Sequence, residues 1–338
     1  MATERAARIG YKLNRRPGMN TMQAAVLEAP GRALVRKTSL PELKPGEVRV
    51  RLEGCGVCGS NLAPWEGRPW FQYPFPAGHP GHEGWGEIDE VGEDVTHFQR
   101  GDRVALLSYN AFAEFDVAPA DSLVRLAPSL RGRPFPGEAL GCAMNVFRRC
   151  QIEPGQTVGI VGIGFLGAVL TALTKTAGAE VIAISRRDFP LEIAKAFGAQ
   201  HTVTMKDNAA VIEAVKRITE GRACDCVIEA VGLQQTLDLA TEVTRERGRL
   251  VIAGYHQDGP RTVNMQLWNW RGLDVINAHE RDANVYVQGM REAATAIDRG
   301  DFDPSPLYTH EFELDRIGDA FTAMTDRPNQ FLKALVRL

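Results

Sequence analysis

The sequence predicts an α/β protein of two parts, a β-rich domain interrupted by a doubly wound domain with a parallel sheet. Three observations predict it. Between Val48 and about Val124, short β-type runs are cut by Gly and Pro, the texture of a β-rich domain with many turns. From near Gly155, strand-like runs alternate with helix-length segments, the pattern of βαβ units. After about Ala283 the pattern becomes helical and amphipathic and closes on a last strand, FLKALVRL. The expected layout is residues 22–148 and 284–338 in the β-rich domain, 149–283 in the inserted domain, and 1–21 as an extension. A length of 338 residues also favours two domains over one core.

Taken in order, the opening stretch MATERAARIGYKLNRRPGMNTMQ is basic but lacks the apolar core of a secretory signal. Glu4 and the scarcity of serine argue against a mitochondrial transit peptide, so a disordered extension is expected. Met22-Gln-Ala-Ala-Val-Leu reads as the first strand. VRVRLEG, GEIDEVG, DRVALLS and FAEFDVA follow as the short strands of the β-rich part. Thr157–Val161 reads as a strand, Ala168–Ala177 as a helix and Glu180–Ile184 as a second strand. CDCVIEAVG, GRLVIAGY and LDVINAH continue the alternation, and YVQGMREAATAIDRG reads as an amphipathic helix. No internal repeat or low-complexity tract interrupts this order.

Composition narrows the function classes. Apolar residues make up 44% and charged residues 24%, an ordinary globular balance. A formal net charge of −3 argues against a polyanion-binding surface, so no nucleic-acid partner is expected. No apolar run approaches the roughly 20 residues that span a bilayer, so no membrane role is expected. Six cysteines are too sparse for a disulfide framework and fit a reducing compartment. A soluble cytoplasmic protein is the expectation.

Gly162-Ile163-Gly164-Phe165-Leu166-Gly167 is a GxGxxG turn that follows the strand TVGIV and opens the helix AVLTALTKTAG. In that context it is a dinucleotide fingerprint: the glycines permit a tight turn and close approach of a pyrophosphate, which meets free amides at the helix N-terminus. The end of the second strand separates NAD from NADP. Enzymes that use NAD usually place an acidic residue there for the ribose hydroxyls. Here stand Ser185, Arg186 and Arg187, with no charge on Ser185 to repel a 2′-phosphate and two guanidinium groups to bind it. The expected cofactor is NADP(H) rather than NAD(H), although Asp188 lies close by.

A metal centre is the second expectation. Gly56-Val57-Cys58-Gly59-Ser60-Asn61 and Pro80-Gly81-His82-Glu83-Gly84 put a thiol, an imidazole and a carboxylate on glycine-flanked turns, where core packing does not explain them. Cys, His and Glu all bind zinc, and a catalytic site needs about three of them plus an open position. Cys55-x-x-Cys58 lacks the second pair that a structural site requires.

These residues resemble the medium-chain dehydrogenase/reductase superfamily in its zinc-dependent alcohol dehydrogenase form. The resemblance runs from Met22 onward through GVCGS, GHEGWGEIDEVG, GDRV, Glu138–Gly155 and GIGFLG, in the family's order. It is strongest to the sorbitol and threonine dehydrogenase branch. It implies a GroES-like β-rich catalytic domain and a Rossmann domain. It also implies Cys58 and His82 as zinc ligands, Glu83 as a ligand or a neighbour of one, and Glu138 as a further ligand, with Cys142 the alternative. Cys150, Cys224 and Cys226 are expected to be structural thiols. Ser60 falls at the position that passes the substrate proton, and Lys333 at a basic position near the cofactor pyrophosphate, unless it is a surface lysine.

Departures are as informative. Asn61 stands where most relatives carry Asp, which should weaken polarisation of a zinc ligand. Ala63 replaces a relay histidine. The lobe of four closely spaced cysteines is absent, so one catalytic zinc per chain and no structural zinc is expected. For substrate, Trp65 and Trp70 between the metal motifs, and His279 and Arg281 in Asn277–Arg281, suit a polyhydroxylated molecule read by stacking and hydrogen bonds. Each could also be a structural anchor. The expected reaction is reversible hydride transfer on a polyol, sugar or related secondary alcohol, in a homodimer or homotetramer extended near GRLVIAGY. A redox-neutral enzyme with retained cofactor, a zinc-free reductase and a non-catalytic cofactor binder are the competing readings.

Overall fold

The computed structural model describes residues 20–338; all but the last two residues of the expected N-terminal extension lie outside that range. The first part of the chain forms β1 (Thr21–Ala29), β2 (Arg32–Ser39), β3 (Glu47–Gly56), α1 (Leu62–Glu66), β4 (Gly84–Val91), β5 (Arg103–Leu106), β6 (Phe115–Pro119), β7 (Leu123–Arg125) and α2 (Gly137–Cys150). Alternation builds its strands: in β3, Val48, Val50 and Leu52 point into the core while Arg49 and Arg51 point outward. β3 is the hub, pairing antiparallel with β4 along one side and with β6 along the other.

The middle of the chain alternates strictly: β8 (Thr157–Val161), α3 (Phe165–Thr176), β9 (Glu180–Ser185), α4 (Asp188–Ala196), β10 (His201–Thr204), α5 (Asn208–Ile218), β11 (Cys224–Glu229), α6 (Gln234–Val243), β12 (Thr244–Ile252), α7 (Met265–Arg271) and β13 (Asp274–Asn277). The six strands are all parallel in the order β10-β9-β8-β11-β12-β13. Every residue of β8 is buried, as expected where helices cover both faces of a parallel sheet. The order reverses between β8 and β11, the switch point beyond whose carboxyl ends open parallel sheets bind their ligands. β12 lies inside the sheet, so sheet extension near GRLVIAGY is excluded; the unpaired edge on that side is β13.

The chain then runs through α8 (Ala283–Asp298), β14 (Tyr308–Glu313), α9 (Ile317–Asp326) and β15 (Lys333–Arg337). Asp282 caps α8 by accepting from the Asn284 amide. β15 pairs antiparallel with β3 at Gly54, Cys55 and Gly56, so the last strand rejoins the first sheet. One hydrophobic cluster is continuous across both sheets, joining Trp85 and Ala105 to Leu140, Met290 and Ile160. Cys150, Cys224 and Cys226 are buried free thiols.

Candidate active site

Cys58 sits at the end of the β3 turn, and His82 and Glu83 sit just before β4. Because β3 and β4 are neighbours, the two motifs meet: one ligand atom from each of Cys58, His82 and Glu83 lies within 4.8 Å of the others. His82 is oriented by backbone, with Nδ1 2.8 Å from the Pro80 carbonyl oxygen. A neutral ring in that position carries its proton on Nδ1 and offers Nε2 to the cluster. Ser60 Oγ is 3.4 Å from that Nε2.

The electrostatics favour a cation. Burial works against charge on His82, but Cys58, by charge and hydrogen bond, and then Glu138 and Glu83 raise its pKa to about 10. Glu83 is fully buried, and the Lys333 ammonium straddles its carboxylate, 2.6 Å from Oε1 and 2.5 Å from Oε2. A cysteine sulfur, an imidazole nitrogen and a carboxylate oxygen are a donor set that fits zinc. Gly56 makes room for it: a Cβ there would lie 1.8 Å from Glu83 Oε2.

Glu138, at the start of α2, stands beside the cluster rather than in its tightest part. It accepts from Cys142 Sγ at 3.1 Å, and its pKa is raised by burial. Burial, then the Glu138 charge, holds Cys142 as a thiol, which disfavours it as a metal ligand.

Asn61 does something a carboxylate could not. Its Oδ1 accepts from the Cys58 amide at 2.9 Å while its Nδ2 donates to the Pro80 carbonyl at 3.1 Å. The residue is 2% exposed, and it ties the thiol loop to the carbonyl that orients His82.

Lys333 corrects the sequence reading. Its side chain is not on the surface: Nζ donates to Glu83 Oε1 at 2.6 Å and lies 4.9 Å from the centre of the Phe165 ring in the glycine turn. Burial alone would lower the ammonium pKa, but Glu83 and then Cys58 raise it above its usual value. A buried carboxylate needs a counter-charge, and the β15–β3 pairing brings this one to it.

Trp65 is a second correction. Its ring packs on Phe321 of α9, with centroids 5.2 Å apart, and joins the core of the first sheet. Trp70 remains 56% exposed. His279 is exposed and stacks on Tyr255 at 5.5 Å; Arg281 is exposed beside it. Sequence reasoning missed Tyr286. Its hydroxyl donates to the Glu280 carbonyl at 3.1 Å, and burial, then Cys142 and Glu138, push its pKa up. A tyrosine one turn inside an amphipathic helix gives no sign of that neighbourhood.

In the glycine turn, Gly162 has φ +100°, and a Cβ would lie 2.3 Å from Val231 Cγ2. A Cβ on Gly167 would lie 2.0 Å from the Gly162 carbonyl oxygen, whereas one on Gly164 would meet nothing within 4 Å. Two glycines serve packing and one faces open space at the N-terminus of α3, flanked by Phe165 and Leu166. That is a cradle for a diphosphate. At the end of β9, Ser185 Oγ accepts from the Arg187 amide at 3.3 Å; Arg186 is exposed and Arg187 half-buried.

Comparison with known proteins agrees with this architecture. Residues 44–128 match the alcohol dehydrogenase GroES-like domain, and residues 166–295 match the zinc-binding dehydrogenase family. The chain is 27% identical over 350 residues to a sorbitol dehydrogenase of Bacillus subtilis (strain 168), covering 93% of this chain and 97% of the relative. It is 31% identical over 267 residues to an alcohol dehydrogenase of Geobacillus stearothermophilus, covering 69% and 77%. A putative zinc-binding dehydrogenase from Sinorhizobium meliloti 1021, solved bound to NADP, superposes with a TM-score of 0.82 at 25% identity, covering 94% and 99%. With its GroES-like sheet, its Rossmann-like sheet and these matches, the chain belongs to the zinc-type alcohol dehydrogenase-like family of medium-chain dehydrogenases.

Proposed function

We propose that this protein is a zinc-dependent oxidoreductase that transfers hydride reversibly between NADP(H) and a hydroxyl or carbonyl of a polyol, sugar or related secondary alcohol. The observation that carries the reading is the convergence of Cys58, His82 and Glu83 within 4.8 Å, Glu83 buried and the other two half-buried. Those three residues would hold one catalytic zinc, with Glu138 alongside. Zinc held there supplies a Lewis acid that polarises the substrate oxygen. The nicotinamide supplies or accepts the hydride.

The chain's residues do the rest. Ser60, half-buried on the Cys58 loop, relays the proton of the substrate hydroxyl, releasing its own hydroxyl proton toward solvent as it accepts the substrate's. Pro80 and Asn61 fix the His82 ring and the Cys58 amide, so the donor set needs little reorganisation. The turn Gly162–Gly167 and the free amides of α3 bind the pyrophosphate. Ser185, Arg186 and Arg187 bind the 2′-phosphate, a choice supported by the absence of any acid at the end of β9. Trp70, His279, Arg281 and Tyr286 form the polar and aromatic rim that reads substrate hydroxyls. The reading extends to a cytoplasmic homo-oligomer. Among the described residues no helix is long and apolar enough to cross a membrane.

Metal analysis of purified protein, with fluorescence titration by NADPH and NADH, tests this. About one zinc per chain is expected, together with tighter binding of NADPH. Cys58→Ser should lower both zinc content and turnover of polyols to background. Turnover that persists at the wild-type rate without zinc would sink the mechanism.

A further inference from the structure

The cofactor-phosphate site proposed above draws on Arg186 and Arg187, but a third arginine reaches it from the other end of the chain. α9 ends at Asp326, and Arg327 closes it in the left-handed conformation, φ 46° and ψ 64°, with its amide donating to the Ala323 carbonyl. The chain then turns through Pro328 to Phe331 and into β15. Arg187 Nη1 donates to the Phe331 carbonyl at 2.8 Å, which fastens the end of β9 to this returning stretch.

Arg187 bonds the turn Pro328–Phe331, which directly follows Arg327, so the C-terminal return brings a third arginine to the end of β9. In keeping with that placement, partial burial, then the charges of Arg327 and Arg186, lower the pKa of Arg187; crowding by surrounding protein, then Arg186, does the same to Arg327, although its surface remains exposed to solvent. Among the described residues none of the three has a carboxylate oxygen within 4.0 Å, although Asp188 and Asp326 are adjacent in sequence. Among the described residues fifteen other arginines form such pairs. Like charges gathered without a protein anion are held at a cost that a bound anion would remove. A phosphate monoester offers up to two charges and three acceptor oxygens, enough for several guanidinium groups at once. The cluster lies at the carboxyl end of β9, beside β8 and its glycine turn, where the adenosine ribose of a dinucleotide falls.

We propose that Arg327 is a third phosphate-binding residue of the NADP(H) site, a specificity determinant supplied by the C-terminal return rather than by the nucleotide-binding sheet. This rests on the NADP(H) reading above and adds a residue that the segment after β9 does not contain. Binding of the 2′-phosphate then joins the returning chain to the nucleotide sheet.

Calorimetric titration of the full-length protein with 2′,5′-ADP and 5′-ADP tests it, since only the first carries the ribose phosphate. Wild type should prefer 2′,5′-ADP. Arg327→Gln should weaken 2′,5′-ADP by about tenfold or more, the scale of a lost charge-assisted contact. It should leave 5′-ADP within about twofold on the same scale, and Arg327→Lys should recover part of the loss. If Arg327→Gln leaves 2′,5′-ADP unchanged while Arg186→Gln or Arg187→Gln weakens it, the NADP(H) reading stands and this inference falls. Equal weakening of both ligands by Arg327→Gln also overturns it, because the residue would then act through the fold. A wild type that does not discriminate between the ligands overturns both readings.

Discussion

At the scale of single residues, the site works by pairing each buried polar group with one partner that only the folded chain supplies. Glu83 shows this most clearly, with both carboxylate oxygens against the Lys333 ammonium and one of them within 4.8 Å of the Cys58 and His82 ligand atoms. Replacing Lys333 by Met should therefore leave a buried carboxylate without its counter-charge and cost about 3–5 kcal/mol. Urea unfolding of Lys333→Met, Glu83→Gln and the double variant checks this. The double variant should be more stable than Lys333→Met alone, and simple additivity would show that the pair is not coupled. Asn61 follows the same logic. The sequence reads it as a lost carboxylate, but the structure gives it a donor and an acceptor role between two backbone groups that no carboxylate fills. Cys58, His82 and Glu83 were legible because each sits on a glycine-flanked turn with no apolar pattern to explain it. Lys333, Trp65 and Tyr286 were not legible, because each lies in an ordinary strand or helix pattern whose neighbours come from distant sequence.

At the scale of elements, the glycine turn between β8 and α3 divides its labour among three residues. Gly162 needs a positive φ and contact with Val231, Gly167 packs on the Gly162 carbonyl, and Gly164 alone faces open space. Substitution should separate these roles. Gly164→Val should weaken NADPH binding at least tenfold, about 1.4 kcal/mol, with little change in melting temperature. Gly162→Ala should lower stability by about 1–3 kcal/mol through backbone strain and overlap. Thermal melts and NADPH titrations of both variants check the contrast, and a Gly164→Val protein that binds NADPH normally would contradict it. The turn itself was readable from spacing and from its strand-to-helix context. Its division of labour was not, since Val231 follows β11, three helices and three strands later in the chain.

Across the whole molecule, the chain leaves one sheet, builds a second, and returns to complete the first. That return puts β15 against β3, Lys333 against Glu83, and Phe331 against Arg187. It also leaves β13 as an unpaired edge beside α7, a helix with no buried residue, whose Trp270 is 84% exposed. A large exposed aromatic beside an open parallel edge suits association with a second copy. Trp270→Glu should shift sedimentation equilibrium toward monomer, and an unchanged oligomer would place the interface elsewhere.

Local patterning by itself determined most of the secondary structure: the alternation of β3, the short, largely apolar run of β8 and the amphipathic α8 each follow from the residue pattern within the segment. It also determined the metal-ligand candidates and the dinucleotide turn, because those chemistries need particular residue types at short spacings. The tertiary structure alone decided which strand is an edge, which lysine faces Glu83, which tryptophan is core, and which arginine joins the pair after β9. Those outcomes depend on contacts between residues far apart in sequence, where burial and charge are set by what the fold brings near and not by the neighbours along the chain.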